Sequence, residues 1–269
     1  MFGTLARVTG GAAYVRTVTF DVTAEAYDRF MGRFSEPLAA PFLEYGQVRA
    51  GQEALDVGCG PGALTGRLVQ RLGAAAVAAV DPSPSFVEAV RARCPGVDVR
   101  LGSAERLPFP DDAFDRAVAQ LVVHFMADPV AGLAEMARVT RPGGLVAACV
   151  WDHAGGGGPL AAFWRAVHDV DPAAPDEADL AGAREGHLAE LCEAAGLRHV
   201  EATTLTVPVR FTTFSAWWEP FTLGVGPAGA YVARLDDERR EALRARCERR
   251  LPPAPFEVRA SAWCVRAPV

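Results

Sequence analysis

The chain has 269 residues, half of them apolar, and a formal net charge of −6. That length and apolar content suit one large α/β domain with a sizeable core, or two small ones, and exclude long disorder. The acidic balance disfavours a nucleic-acid partner, and all 27 basic residues are arginine, which excludes a lysine Schiff base or a Walker-type phosphate lysine.

Residues 1–20 lack a continuous apolar run and are expected to form a poorly ordered leader, followed by a single domain over 21–269. From Val22 to about Val48 the pattern is helical, with a break expected at Glu36-Pro37, and Tyr27, Phe30, Phe34, Phe42 and Tyr45 cluster here. Strands and helices then alternate. "EALDV" reads as the first strand, and "PGALTGRLVQRLG" as a helix with Pro61 in its first turn and Gly73 at its end. "AAAVAAVD" is the second strand, after which Ser83 can cap a helix that has Pro84 at its first position. "VDVRLG" and "RAVAQLVV" are the third and fourth strands. Asp128-Pro129 opens a helix through Val139, and "RPGG" turns it into a fifth strand, "LVAACVW". This alternation predicts a parallel sheet with helices on both faces.

Beyond it, "HAGGGGPL" reads as a flexible loop, Arg184 to Ala195 as a helix, and "LRHVEATTLTVPVRF" as a long strand. Thr212 to Pro255 reads as helical and carries Trp217 and Trp218, which read as core more than pocket, although adjacent positions on a helix point apart and leave one able to face substrate. "FEVRASAWCVRA" closes the chain as a strand. The domain thus divides into lid helices (21–48), a core (49–211), a helical insert (212–254) and a final strand (255–269). The six cysteines form no CxxC pair and read as buried, reduced thiols of a cytoplasmic protein; no apolar run reaches the roughly 18 residues of a membrane span.

The chemistry concentrates in "ALDVGCGPGALT", Ala54 to Thr65. Glycines between a strand and a helix let a ligand touch the backbone. The spacing Gly58-x-Gly60-x-x-Ala63 suits a dinucleotide, whereas Asp56-x-Gly58-x-Gly60-x-Gly62 suits S-adenosylmethionine. Asp81, 21 residues after Gly60, fits the ribose of either. Asp56 discriminates: a carboxylate here repels a pyrophosphate but attracts an ammonium and a sulfonium.

With these residues the sequence resembles class I S-adenosylmethionine-dependent methyltransferases, through "ALDVGCGPGALT", "VDPSPSFV", "GSAERLPFPDDAFD" and "RVTRPGGLVAACVWD" in that order. It is most similar to the small-molecule subgroup of ubiquinone/menaquinone-type enzymes. The resemblance implies a Rossmann-like, seven-stranded, mostly parallel sheet with an antiparallel last strand. It places Asp56 near the methionine ammonium, and Gly58, Gly60 and Gly62 along the methionine and ribose. Asp81 would accept both ribose hydroxyls, with Pro82 and Ser83 near the adenine. Ser103 stands where the family often has Asp, so the backbone of Ala104 is left to read the ring edge, and Gln120 offers its carbonyl to the ammonium. Tyr27 and Arg33 could close over the cofactor, Arg33 pairing with its carboxylate.

The substrate crevice of such a sheet lies at the strands' carboxyl ends. His124 and His153 stand just past strands four and five, and either could take a proton from an acceptor. Each also reads as an ordinary residue, His124 packed between Val123 and Phe125 and His153 solvated in a loop. No Asn-Pro-Pro-Tyr-like tetrad is present, so a small organic acceptor methylated at O, C or N is expected, mainly by positioning, with S-adenosylhomocysteine as product and no metal. Two rivals remain: a protein of this fold that binds the cofactor but does not methylate, and a nicotinamide dehydrogenase.

Overall fold

A computed structural model describes residues 23–269; the leader expected over 1–20 lies outside the described residues. Seven strands form one sheet: β1 (Ala54–Val57), β2 (Val77–Asp81), β3 (Asp98–Leu101), β4 (Phe114–Gln120), β5 (Thr140–Trp151), β6 (Glu201–Phe211) and β7 (Phe256–Pro268). Their spatial order is β3-β2-β1-β4-β5-β7-β6. The pairs β1/β2, β2/β3, β1/β4 and β4/β5 are parallel, while β7 runs antiparallel to both β5 and β6. Every residue of β1 and β2 is buried, because helices cover both faces of a parallel sheet and leave no solvent-facing row. The chain crosses from β1 to β2 on one side and meets β4 on the other. The loops leaving β1 and β4 therefore diverge and open a crevice at their carboxyl ends.

The N-terminal segment departs from the expected break at Glu36-Pro37. Helix Arg33–Tyr45 runs unbroken through Pro37 and Pro41, and the irregularity lies earlier, in a π-helical turn over Asp28–Gly32. Packing overrides the prolines: Leu38, Ala39 and Phe42 are fully buried on this helix, and burying each large side chain contributes about 1.5–3 kcal/mol. Its end is pinned to the sheet by a 2.7 Å hydrogen bond from the Tyr45 hydroxyl to the Glu201 carbonyl.

The insert folds into helices Phe214–Trp218, Gly226–Ala233 and Asp237–Arg250. Trp217 and Trp218 are both buried, at 2% and 5% exposure, so both pack as core. The short helix carrying them is enclosed on both sides, so neighbouring positions both find apolar partners. Phe221 knits the region together: it stacks on Phe163 at 4.5 Å and meets Trp217 at 4.8 Å and Phe30 at 5.3 Å. Through Phe30 the N-terminal turn and the insert form one continuous cover. All six cysteines are buried and free. Among the described residues no helix is long and apolar enough to cross a membrane.

Candidate cofactor and acceptor site

The loop after β1 is built by glycine conformation. Gly58, Gly60 and Gly62 all have positive φ, at 69°, 52° and 96°. Pro61 lies in the turn and not in the helix, which starts at Ala63 with Gly62 as its cap. A Cβ at Gly58 would fall 2.3 Å from Val122 Cγ2, so β1 and the segment after β4 approach too closely for a side chain. A Cβ at Gly60 would meet nothing within 4 Å, which leaves open space directly over the loop.

Two acids frame that space. Asp81 Oδ2 accepts the Gly60 N–H at 2.9 Å and Oδ1 accepts the Ser83 N–H at 2.8 Å. Ser83 therefore meets Asp81 through its backbone and makes no side-chain cap; its hydroxyl faces that of Ser85. Asp56 is 1% exposed, and its Oδ2 accepts the Thr65 hydroxyl at 2.6 Å. Burial pushes the Asp56 carboxyl up to about 7, against the Thr65 hydrogen bond, with the Asp81 charge adding to the rise. Burial likewise raises Asp81, opposed by its two backbone N–H partners.

The remaining positions lie at or just past the ends of β2, β3 and β4 and in the N-terminal segment. Gln120, at the end of β4, donates from Nε2 to the Ser35 carbonyl at 3.1 Å, while its buried Oε1 has no partner among the described residues. The next residue, Leu121, has a positive φ of 64°, an uncommon backbone state for a branched side chain. Exposed Pro82 and Ser103 lie on either side of the β2–β3 edge, with Ala104 buried behind Ser103. Tyr27 packs edge-on against Phe86 at 5.5 Å, and burial together with the Asp81 charge pushes its phenol pKa up. Arg33 donates to the carbonyls of Arg29 and Ala216 at 2.9 and 2.7 Å and lies 5.2 Å from the Phe211 ring centre. These contacts brace the lid against the insert.

Past β4 and β5, His124 and His153 come together with ring centres 5.8 Å apart. His124 is 6% exposed and its Nδ1 has no hydrogen-bond partner among the described residues. Burial holds His124 well below the ordinary histidine range, with His153 adding to the fall, and lowers His153 to about 4. Both therefore stand as neutral imidazoles at pH 7. Asp152 does not share this role. Its Oδ1 and Oδ2 accept the N–H groups of Gly155 and Gly157 at 2.8 and 3.2 Å, so the glycine run wraps a carboxylate instead of forming a free loop. A Cβ at Gly155 or Gly157 would fall 2.5 Å from an Asp152 oxygen, which explains these two glycines.

The histidines line a narrow cavity of about 30 Å³ walled by Tyr27, Phe30, Met31, Phe125, Trp151 and Leu160. It also contains Glu177, which sequence reasoning missed. Glu177 is 3% exposed, its Oε2 has no partner among the described residues, and burial pushes its carboxyl up to about 8. The Trp164 indole N–H offsets part of this rise without closing a hydrogen bond, and Asp176 adds to it. Nothing in "DVDPAAPDEADL" separates Glu177 from the other acids of that stretch.

The strand order and the glycine loop define a Rossmann-like methyltransferase fold. Residues 55–148 match the family described as "Methyltransferase domain". The chain is 37% identical over 136 residues to an uncharacterized methyltransferase of Mycobacterium bovis, covering 51% of this chain and 53% of that protein. It is 35% identical over 147 residues to a demethylmenaquinone methyltransferase of Tropheryma whipplei, covering 50% and 58% respectively. The chain thus spans about half the length of the curated relatives it matches. In fold it is similar to a Haemonchus contortus phosphoethanolamine N-methyltransferase solved with phosphomonomethylethanolamine and S-adenosylhomocysteine. That likeness has a TM-score of 0.56 at 17% identity, over 97% of this chain and 60% of that one.

Proposed function

We infer that this chain is an S-adenosylmethionine-dependent methyltransferase acting on a small organic molecule, within a single domain over 21–269. The observation that carries this reading is the pair of buried acids, Asp56 and Asp81, framing open space over Gly60. The donor set fits the cofactor. A sulfonium and an ammonium suit Asp56 and the unpartnered Oε1 of Gln120, and ribose hydroxyls suit Asp81. The bound cofactor supplies an electrophilic methyl group on a sulfonium.

The chain's own residues do the rest. Gly58, Gly60 and Gly62 admit the ligand to the backbone, and Asp81 orients the ribose from a position set by the Gly60 and Ser83 amides. Pro82, Ser83, Ser103 and Ala104 border the adenine side, and Tyr27 closes the site from the lid. Arg33, held in the lid, is the residue to pair with the cofactor's carboxylate. His124 and His153 are neutral and stand where the acceptor enters, so either can accept its proton. The lid and insert exclude water from this space. Isothermal titration of the full chain with S-adenosylhomocysteine tests the reading. Saturable one-to-one binding is expected, and no binding at millimolar ligand overturns it.

A further inference from the structure

The cavity beside His124 and His153 carries information about what it accepts. Its walls are aromatic and aliphatic, and among the described residues no arginine lines it. Its polar groups are two neutral imidazoles, the buried Glu177 carboxyl, the Tyr27 phenol and the Trp151 indole N–H. Three polar atoms of these lining residues, Glu177 Oε2, His124 Nδ1 and Trp151 Nε1, lack partners among the described residues. Buried polar atoms cost free energy when unpaired, and more than one such atom at a single cavity points to a ligand that pairs them.

An anionic head would find no cation among the described residues and would face an acid. A neutral hydroxyl could pair with one histidine but is too weakly basic to take the proton of the Glu177 carboxyl. An amine suits the Glu177 and histidine atoms. It is basic enough to take the proton that burial holds on Glu177, and the N–H groups of the resulting ammonium can donate to the carboxylate and to an imidazole nitrogen, while the rings of Phe30, Phe125 and Trp151 favour a cation. The space of about 30 Å³ suits a head of that size, with the body of the molecule reaching out between the lid turn and Val225–Pro227.

We propose that Glu177 is the acceptor-recognition residue of this site and that the acceptor is a primary or secondary amine, bound by its nitrogen between Glu177 and the His124–His153 pair. This rests on the methyltransferase reading above, in which the acceptor enters past β4 and β5. Tyr27 and Leu121 line the cavity at its border with the cofactor loop, so the bound nitrogen lies next to the methyl-donor side.

The test compares one molecular body with three heads: benzylamine, benzyl alcohol and benzoate. Ethylamine serves as a smaller control. Binding to the full chain is measured by titration calorimetry and thermal shift, with and without S-adenosylhomocysteine, in the wild type and in Glu177→Gln. Amines are expected to bind about ten-fold or more tightly than the alcohol and the carboxylate. The preference is expected to vanish in Glu177→Gln, while benzyl alcohol and S-adenosylhomocysteine bind as before. Equal or tighter binding of the alcohol or benzoate overturns the proposal, as does a preference that survives Glu177→Gln. Failure of both amines to bind the wild type at millimolar concentration overturns it too. Should the variant not fold, the wild-type ranking of heads decides alone. Loss of S-adenosylhomocysteine binding would strike the cofactor reading instead, so the two failures are distinguishable.

Discussion

Asp81 and Gly60, separated by 21 positions, are joined by a 2.9 Å hydrogen bond from the Gly60 N–H to Asp81 Oδ2. The acid at the end of β2 thus holds the glycine loop after β1 in the shape that leaves open space above it. One carboxylate both sets the loop and faces the ligand.

Replacing it should be felt twice. Asp81→Ala is expected to weaken S-adenosylhomocysteine binding by about 1–3 kcal/mol, because charge-assisted hydrogen bonds to the ligand are lost and the loop is less well held. Titration calorimetry reads this directly. An unchanged affinity would remove Asp81 from the site.

The glycines of the loop should behave differently from one another. Gly58→Ala drives a Cβ to 2.3 Å from Val122 Cγ2 at a φ of 69°, so it is expected to lower the melting temperature markedly. Gly60→Ala meets only the cost of a left-handed backbone, about 1–2 kcal/mol, because nothing stands within 4 Å. Its larger effect should be on cofactor binding, since the new methyl occupies the opening. Denaturation and titration of both variants separate the two losses.

Stability should depend on pH through the buried acids. Glu177 is raised from 4.5 to about 8 and Asp56 from 3.8 to about 7. The native state therefore holds protons that the unfolded chain has released, and the corresponding stability is full at low pH and lost as pH rises toward 8. His153, lowered from 6.5 to about 4, acts in the opposite sense between those two values. Above pH 6.5 only the acids remain, so the ligand-free protein is expected to lose stability between pH 6.5 and 8. Urea unfolding across that window checks it. Glu177→Gln should flatten the slope, and an unaltered slope would show that Glu177 does not hold a proton.

The cover is expected to depend on Phe221, which contacts rings from the N-terminal turn, helix Ala161–His168 and the insert. Phe221→Ala removes a side chain only 3% exposed and should destabilise the protein by about 3–5 kcal/mol. Hydrogen exchange should show the lid turn and insert opening first, with β1 and β2 still protected.

Much of this was legible in the chain. The alternation of apolar strands and capped helices from Ala54 to Trp151 is local chemistry, and Asp128 does cap its helix by accepting the Ala131 N–H at 3.0 Å. The separation of Asp56 and Asp81 is set by one strand–helix–strand unit, so both acids could be assigned to one crevice before any coordinates. Other features were not legible, because they depend on partners far along the chain. Pro37 reads as a helix break until its helix is packed, through other residues, against the sheet and helix Ala63–Leu72. The glycines after Asp152 read as a flexible loop until their amides are seen on its carboxylate.

The sequence by itself determined the order of the strands along the chain, the glycine loop and the two acids that suit a cationic nucleoside ligand. These follow from backbone conformation and spacing within a few tens of residues. Only the tertiary structure decided that His124 and His153 share one cavity, that Arg33 braces the lid, and that Glu177 stands beside the histidines. Burial and the loss of water are properties of the packed whole, and they alone turn an ordinary acid of a loop into an unpaired buried carboxyl.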